Sequence, residues 1–147
     1  MKKYLLVGLS LFVLAGCSSE NGSEGTSEVS ETQKVASNIE SKAKELFGDD
    51  ITFEVSEDTV TSDVQESHTE YVITLNNPGE IKEANDRIYS NQGTEEDKQL
   101  IEDVKDKAKE LAQDIDNELD TVLVHYVDED DNNIMVAYTQ KSKSLID

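Results

Sequence analysis

The chain has 147 residues, 13 of them Lys or Arg against 33 Asp or Glu, and a formal net charge of -20. Such an acid excess argues against nucleic acid, whose binders present basic patches that displace counterions from phosphates, and against a domain lying flat on anionic lipid. The single cysteine excludes an intrachain disulfide, and the length predicts one domain.

At the start, Lys2 and Lys3 precede residues 4–16 (YLLVGLSLFVLAG), which carry no charge. Thirteen residues are too few to span a bilayer, which takes about 20 apolar residues, but they match the apolar region of a signal peptide. The run closes on Leu14-Ala15-Gly16-Cys17. These four residues resemble the lipobox of bacterial lipoproteins. The resemblance implies that the Cys17 sulfur takes a diacylglycerol and that a peptidase cuts between Gly16 and Cys17, removing residues 1–16. Two acyl chains on one cysteine hold stably, where a single chain binds only reversibly. The implied location is the outer face of the cell membrane, or the outer membrane in a two-membrane organism, because Ser rather than Asp follows the cysteine. Removing residues 1–16 takes away Lys2 and Lys3 and no acid, leaving 11 basic and 33 acidic side chains and a net charge of -22.

Residues 18–30 (SSENGSEGTSEVS) contain one aliphatic side chain among Ser, Gly and Glu. Such a stretch cannot bury enough apolar surface to offset its ordering entropy. With Cys17 it reads as a lipidated tether, residues 17–30, averaging about 20 Å end to end.

Residues 31–147 read as the acidic folded domain. Ser30-Glu31-Thr32-Gln33 has the form of a capping box, and Val35, Ile39, Ala43, Leu46 and Phe47 follow at helical spacing up to Gly48. Ile51, Phe53 and Val55 alternate with polar residues, as do Tyr71, Ile73 and Leu75, which predicts two half-buried strands joined by the polar connection Ser56 to Thr69. Asn77, as N-cap, and Pro78 open a short helix with Ile81, Ala84 and Ile88 on its apolar face. Gly93 closes it. A long helix then starts from Thr94 and keeps apolar phase from Leu100 through Leu119. Two final strands, about 121–127 and 134–140, flank the loop Asp128–Asn133.

Lys42-Ala43-Lys44-Glu45-Leu46 recurs as Lys107-Ala108-Lys109-Glu110-Leu111. The echo suggests two helix-strand-strand units, although these residues are also common helix filler. Either way the element order predicts an α+β fold: a two-layer sandwich of about four antiparallel strands with two to three helices on one face. The other face of the sheet is either wet or a binding surface.

Candidate chemistry is sparse. His68, in a polar loop, and His125, read as a solvent-facing strand residue, belong to no ligand-spaced cluster or nucleophile motif. Asp128, Asp130 and Asn132 fill the first three liganding positions of a calcium loop, but Asn133 stands where Gly is needed and Thr139 where a bidentate Glu is needed. A solvated hairpin turn accounts for them better. Acidic pairs such as Glu95-Glu96 and Glu102-Asp103 read as wet helix faces. Tyr71, Tyr126 and Tyr138 read as core residues before an exposed aromatic platform.

The expectation is therefore a noncatalytic, lipid-anchored extracytoplasmic binding domain. It would need no cofactor beyond the diacylglycerol on Cys17, would touch the membrane through that anchor, and would bind a protein, peptide or envelope ligand rather than nucleic acid. The alternative is an inhibitor, immunity or phage-exclusion lipoprotein acting on a basic protein. A minor one is that the leader serves as a signalling peptide, since Leu9–Gly16 is similar in composition to the mating pheromones cut from lipoprotein leaders in enterococci.

Overall fold

A computed structural model describes residues 31–146. The expected lipidation and cleavage positions at Cys17 and Gly16, the tether and the Ser30 cap lie outside the described residues. The elements run α1 (Glu31–Phe47), β1 (Ile51–Thr59), β2 (His68–Leu75), α2 (Gly79–Tyr89), α3 (Glu95–Gln113), β3 (Thr121–Val127) and β4 (Asn133–Gln140). The strands form one sheet in the order β1-β2-β3-β4, and the helices pack on one face of it. The architecture is the two-layer α+β sandwich that the apolar patterning predicts.

One pairing corrects the expected antiparallel sheet. β1–β2 and β3–β4 are antiparallel hairpins, but β2 and β3 are parallel, with Tyr71 beside Val122 and Ile73 beside Val124. The cause is the crossover between them. Parallel neighbours need a long return connection, and α3, with 19 residues, spans about 28 Å at 1.5 Å per residue, as long as an eight-residue strand. Because β3 therefore runs opposite to β1, the two helix-strand-strand units have opposite hand relative to the shared helical layer. No rotation superposes them.

The echoed pentapeptides have a local use instead. Lys42 of α1 reaches Glu110 of α3 and Asp114 at the C-cap of that helix, at 3.2 and 2.8 Å, and Lys107 of α3 lies over the Phe47 ring of α1. Ala43 and Ala108 are fully buried. Each copy thus furnishes one side of the α1–α3 contact.

The core lies between the layers. Ile51, Tyr71, Ile73 and Leu75 from the first hairpin and Val122, Val124, Tyr126 and Ala137 from the second meet Ile39, Ala43, Ile101, Val104, Ala108 and Leu111 of the helices. Gly48, at φ +90°, ends α1 in the left-handed conformation that favours glycine, and its amide donates to the Lys44 carbonyl. Gly93 is fixed differently, since a Cβ there would come within 2.7 Å of Ile88 Cγ1. Thr94 caps α3 as expected, accepting from the Asp97 amide at 3.2 Å, while the Asp97 carboxylate accepts from the Thr94 amide at 2.8 Å.

Three boundaries differ from the periodic reading. α2 starts at Gly79 with Pro78, not Asn77, at its cap and no side-chain hydrogen bond there. α3 stops at Gln113, although Ile115 and Leu119 keep its apolar phase. Its last turn carries no basic residue to offset the helix dipole, and Ile115 is buried from the following turn. β1 and β2 are longer than the alternation shows, so His68 is the first residue of β2 rather than part of a loop.

Candidate functional site

The face of the sheet turned away from the helices is the surface whose chemistry is not consumed by the core. Side chains alternate across a strand, so with Tyr71, Ile73, Val122 and Val124 pointing inward, Glu70, Val72, Thr74, Thr121, Leu123, His125 and Val127 point outward. Outward neighbours follow the register: Glu54 beside Val72, Val72 beside Leu123, Leu123 beside Tyr138, and Thr74 beside His125 beside Met135.

This outer face has two ends of different character. At one end the connection 60–67 folds back over the sheet: the Thr61 hydroxyl lies 3.2 Å from that of Tyr138, and Val64, His68, Thr121 and Tyr138 are buried. Burial pushes the Tyr138 hydroxyl pKa above its ordinary value. The His68 Nδ1 sits 2.9 Å from the Glu66 carbonyl oxygen, and its buried Nε2 has no hydrogen-bond partner among the described residues.

The other end is open. Val72, Thr74, Leu123, His125, Val127 and Met135 line a groove of about 470 Å³, bordered by Glu54, Glu70 and Asn133. Val127 and Met135, on adjacent strands of this groove, remain 45% and 40% exposed. His125 is not solvent-facing as expected: it is buried in the floor of the groove, with Nε2 2.7 Å from the Thr74 hydroxyl oxygen. Burial lowers its pKa, opposed by the nearby Glu54 and Glu70 carboxylates.

Charge is sorted between the layers. None of the four strands carries a lysine or arginine. From Ile51 to Leu75, including the covering connection, there are six carboxylates and no Lys or Arg. The helices hold most of the bases, many in local ion pairs such as Lys44–Glu40, Lys98–Glu95 and Lys105–Glu102. Among the described residues no Lys or Arg pairs with Glu54 or Glu70.

The remaining sequence candidates fall elsewhere. Asp128 anchors the β3–β4 turn: its carboxylate accepts from the amides of Asp130 and Asn132 at 2.9 and 2.8 Å and from the Asn132 side-chain amide at 3.0 Å. The Asn132 backbone amide holds its carboxyl below the ordinary value. Asp130 and Asn132 are exposed beside it. Among the described residues no group of three or more His, Cys, Asp or Glu is arranged to hold a metal ion. Tyr71 and Tyr126 are in the core and Tyr138 is covered on the opposite face, so the three do not share a platform. Glu95, Glu96, Glu102 and Asp103 are exposed on α3.

Two features escape the sequence reading. Asp97 is buried and takes a forked contact from Arg87, with Nη2 at 2.6 Å and Nε at 3.1 Å, which ties α2 to the cap of α3. That guanidinium, with the Thr94 amide, holds the Asp97 carboxyl well below the usual carboxylate range. The second is which part of the outer sheet face lies open: the sequence offers that face as wet or as a binding surface, and the absence of Lys and Arg between Lys44 and Lys82 marks only its β1–β2 side.

Compared with protein-family models, curated proteins and solved structures, the chain matches none.

Proposed function

We propose that this chain is a lipid-anchored, extracytoplasmic binding protein that acts by presenting the open end of its outer sheet face to a partner, without catalysis of its own. The observation that supports this reading is the groove over Val72, Leu123, Val127 and Met135, a set of apolar side chains held at the surface by a well-packed scaffold. Surface apolar groups grouped in this way mark interaction sites. The opposite layer is the helical face, where many of the lysines pair with acids on the same helix. The lipobox resemblance supports the location: an anchor at Cys17 and a polar spacer would set the groove free of the bilayer.

The test is site-specific photocrosslinking in cells making the full chain. A benzophenone side chain at Met135 or Val127 is expected to give discrete adducts, and the same group at Lys44 or Glu45, exposed on α1, is expected to give none. Equal adducts from both layers, or none from the sheet, would refute the reading.

A further inference from the structure

We infer that the partner segment docking on this groove is a basic polypeptide whose apolar side chains cover Val72, Leu123, Val127 and Met135 while its Lys or Arg side chains reach Glu54 and Glu70. This rests on the groove being the binding surface, as proposed above, and adds the chemistry of what occupies it.

Charge complementarity carries the assignment. The groove offers apolar contacts at its centre and carboxylates on its β1–β2 side, with no lysine or arginine in any strand to neutralise them and only the buried His125 imidazole near them. A second copy of this chain would bring the same carboxylates against themselves, and like charges set opposite each other are repelled. Nucleic acid and anionic lipid are repelled for the same reason. A purely polar cation leaves the exposed Met135 and Val127 side chains uncovered. Only a segment that is both basic and partly apolar satisfies both halves of the groove. Thr74 and Asn133 add uncharged polar groups at its edge.

The measurement is methyl NMR on the full-length chain held in a phosphatidylcholine nanodisc. The probe is a 12-residue peptide with Lys and Val taking turns at every second position and Thr between them, so that one side of the extended chain carries both. It is expected to move the methyl resonances of Val72, Leu123, Val127 and Met135. Glu54→Gln with Glu70→Gln should weaken binding about three- to tenfold, as expected for two exposed ion pairs. Val127→Ser should also weaken it, and Glu45→Gln on α1 should not.

A peptide with Glu in place of Lys that moves the same methyls equally overturns the cationic assignment while leaving the groove as the binding surface. A Lys peptide with Ser in place of Val that binds equally well overturns the apolar half. If no peptide moves these methyls, the inference and the reading beneath it both fail.

Discussion

Ile73→Ala and Met135→Ser act on opposite faces of the same sheet, and the difference between them measures whether the outer face is a free surface. Ile73 lies at the centre of β2, fully buried against the helices. Truncation to Ala removes three carbon atoms, worth about 0.8 kcal/mol each in lost burial, or about 2.4 kcal/mol together. The cavity left behind raises the loss to about 3–4 kcal/mol, within the usual range for Ile→Ala in a core. At about 3–6 °C per kcal/mol for a domain of this size, the melting temperature should fall by about 10–20 °C. Met135 is 40% exposed on the outer face, so Met135→Ser should shift stability by less than about 1 kcal/mol. Urea unfolding of the two variants followed by far-ultraviolet circular dichroism, with unchanged m-values, reads both quantities. If Met135→Ser destabilises as strongly as Ile73→Ala, the outer face is interior to the fold and the groove argument collapses.

Asp97→Asn should destabilise the α2–α3 junction at neutral pH, and the gap to wild type should narrow below about pH 4, the unfolded carboxyl value. The sign follows from a depressed folded pKa: stability is present above the unfolded value and is lost as protons compete with Arg87. A pH-independent gap in urea midpoints would show that the carboxylate charge is irrelevant there. His125, whose pKa is lowered by burial, takes up its proton more readily in the unfolded chain, so its contribution to stability is present above about pH 6.5 and fades as pH falls below it. His125→Gln should therefore flatten the stability change between pH 7.5 and 5.5, and an unchanged slope would count against burial as the cause. Cys17→Ser should abolish labelling by a palmitate analogue and leave the chain uncut or released, and persistent labelling would refute the lipobox reading.

Local patterning made much of this fold legible. Alternation at Ile51, Phe53 and Val55 and at Tyr71, Ile73 and Leu75 marks inward-facing strand residues, and the Thr94 cap and Gly93 turn are written in adjacent residues. What the chain does not spell out locally is the pairing of β2 with β3. That depends on the length and packing of a crossover helix rather than on the strands. His68 and His125 were misplaced for a related reason: both are polar, and their burial comes from distant residues, the connection 60–67 for one and Thr74 of the neighbouring strand for the other. Arg87 and Asp97 look like ordinary helix charges until α2 and α3 are docked.

The proposed groove leaves a mark on the sequence in its charge distribution, and the pairing geometry of helices and strands accounts for that distribution. A lysine on a helix finds a carboxylate one turn away, so basic residues cluster where local pairing is cheap and is worth a few tenths of a kcal/mol per pair. A strand offers no such one-turn partner along its own length, and here the adjacent strands supply none either. The carboxylates at Glu54 and Glu70 thus add to the self-repulsion of a chain already carrying a net charge of -20. A basic partner at the groove would relieve that repulsion and cover apolar surface in the same step. Its affinity would therefore fall as salt rises, over the range in which the screening length shrinks from about 30 Å at 0.01 M to about 8 Å at 0.15 M. Binding through the apolar contacts alone would hold steady or strengthen across the same range.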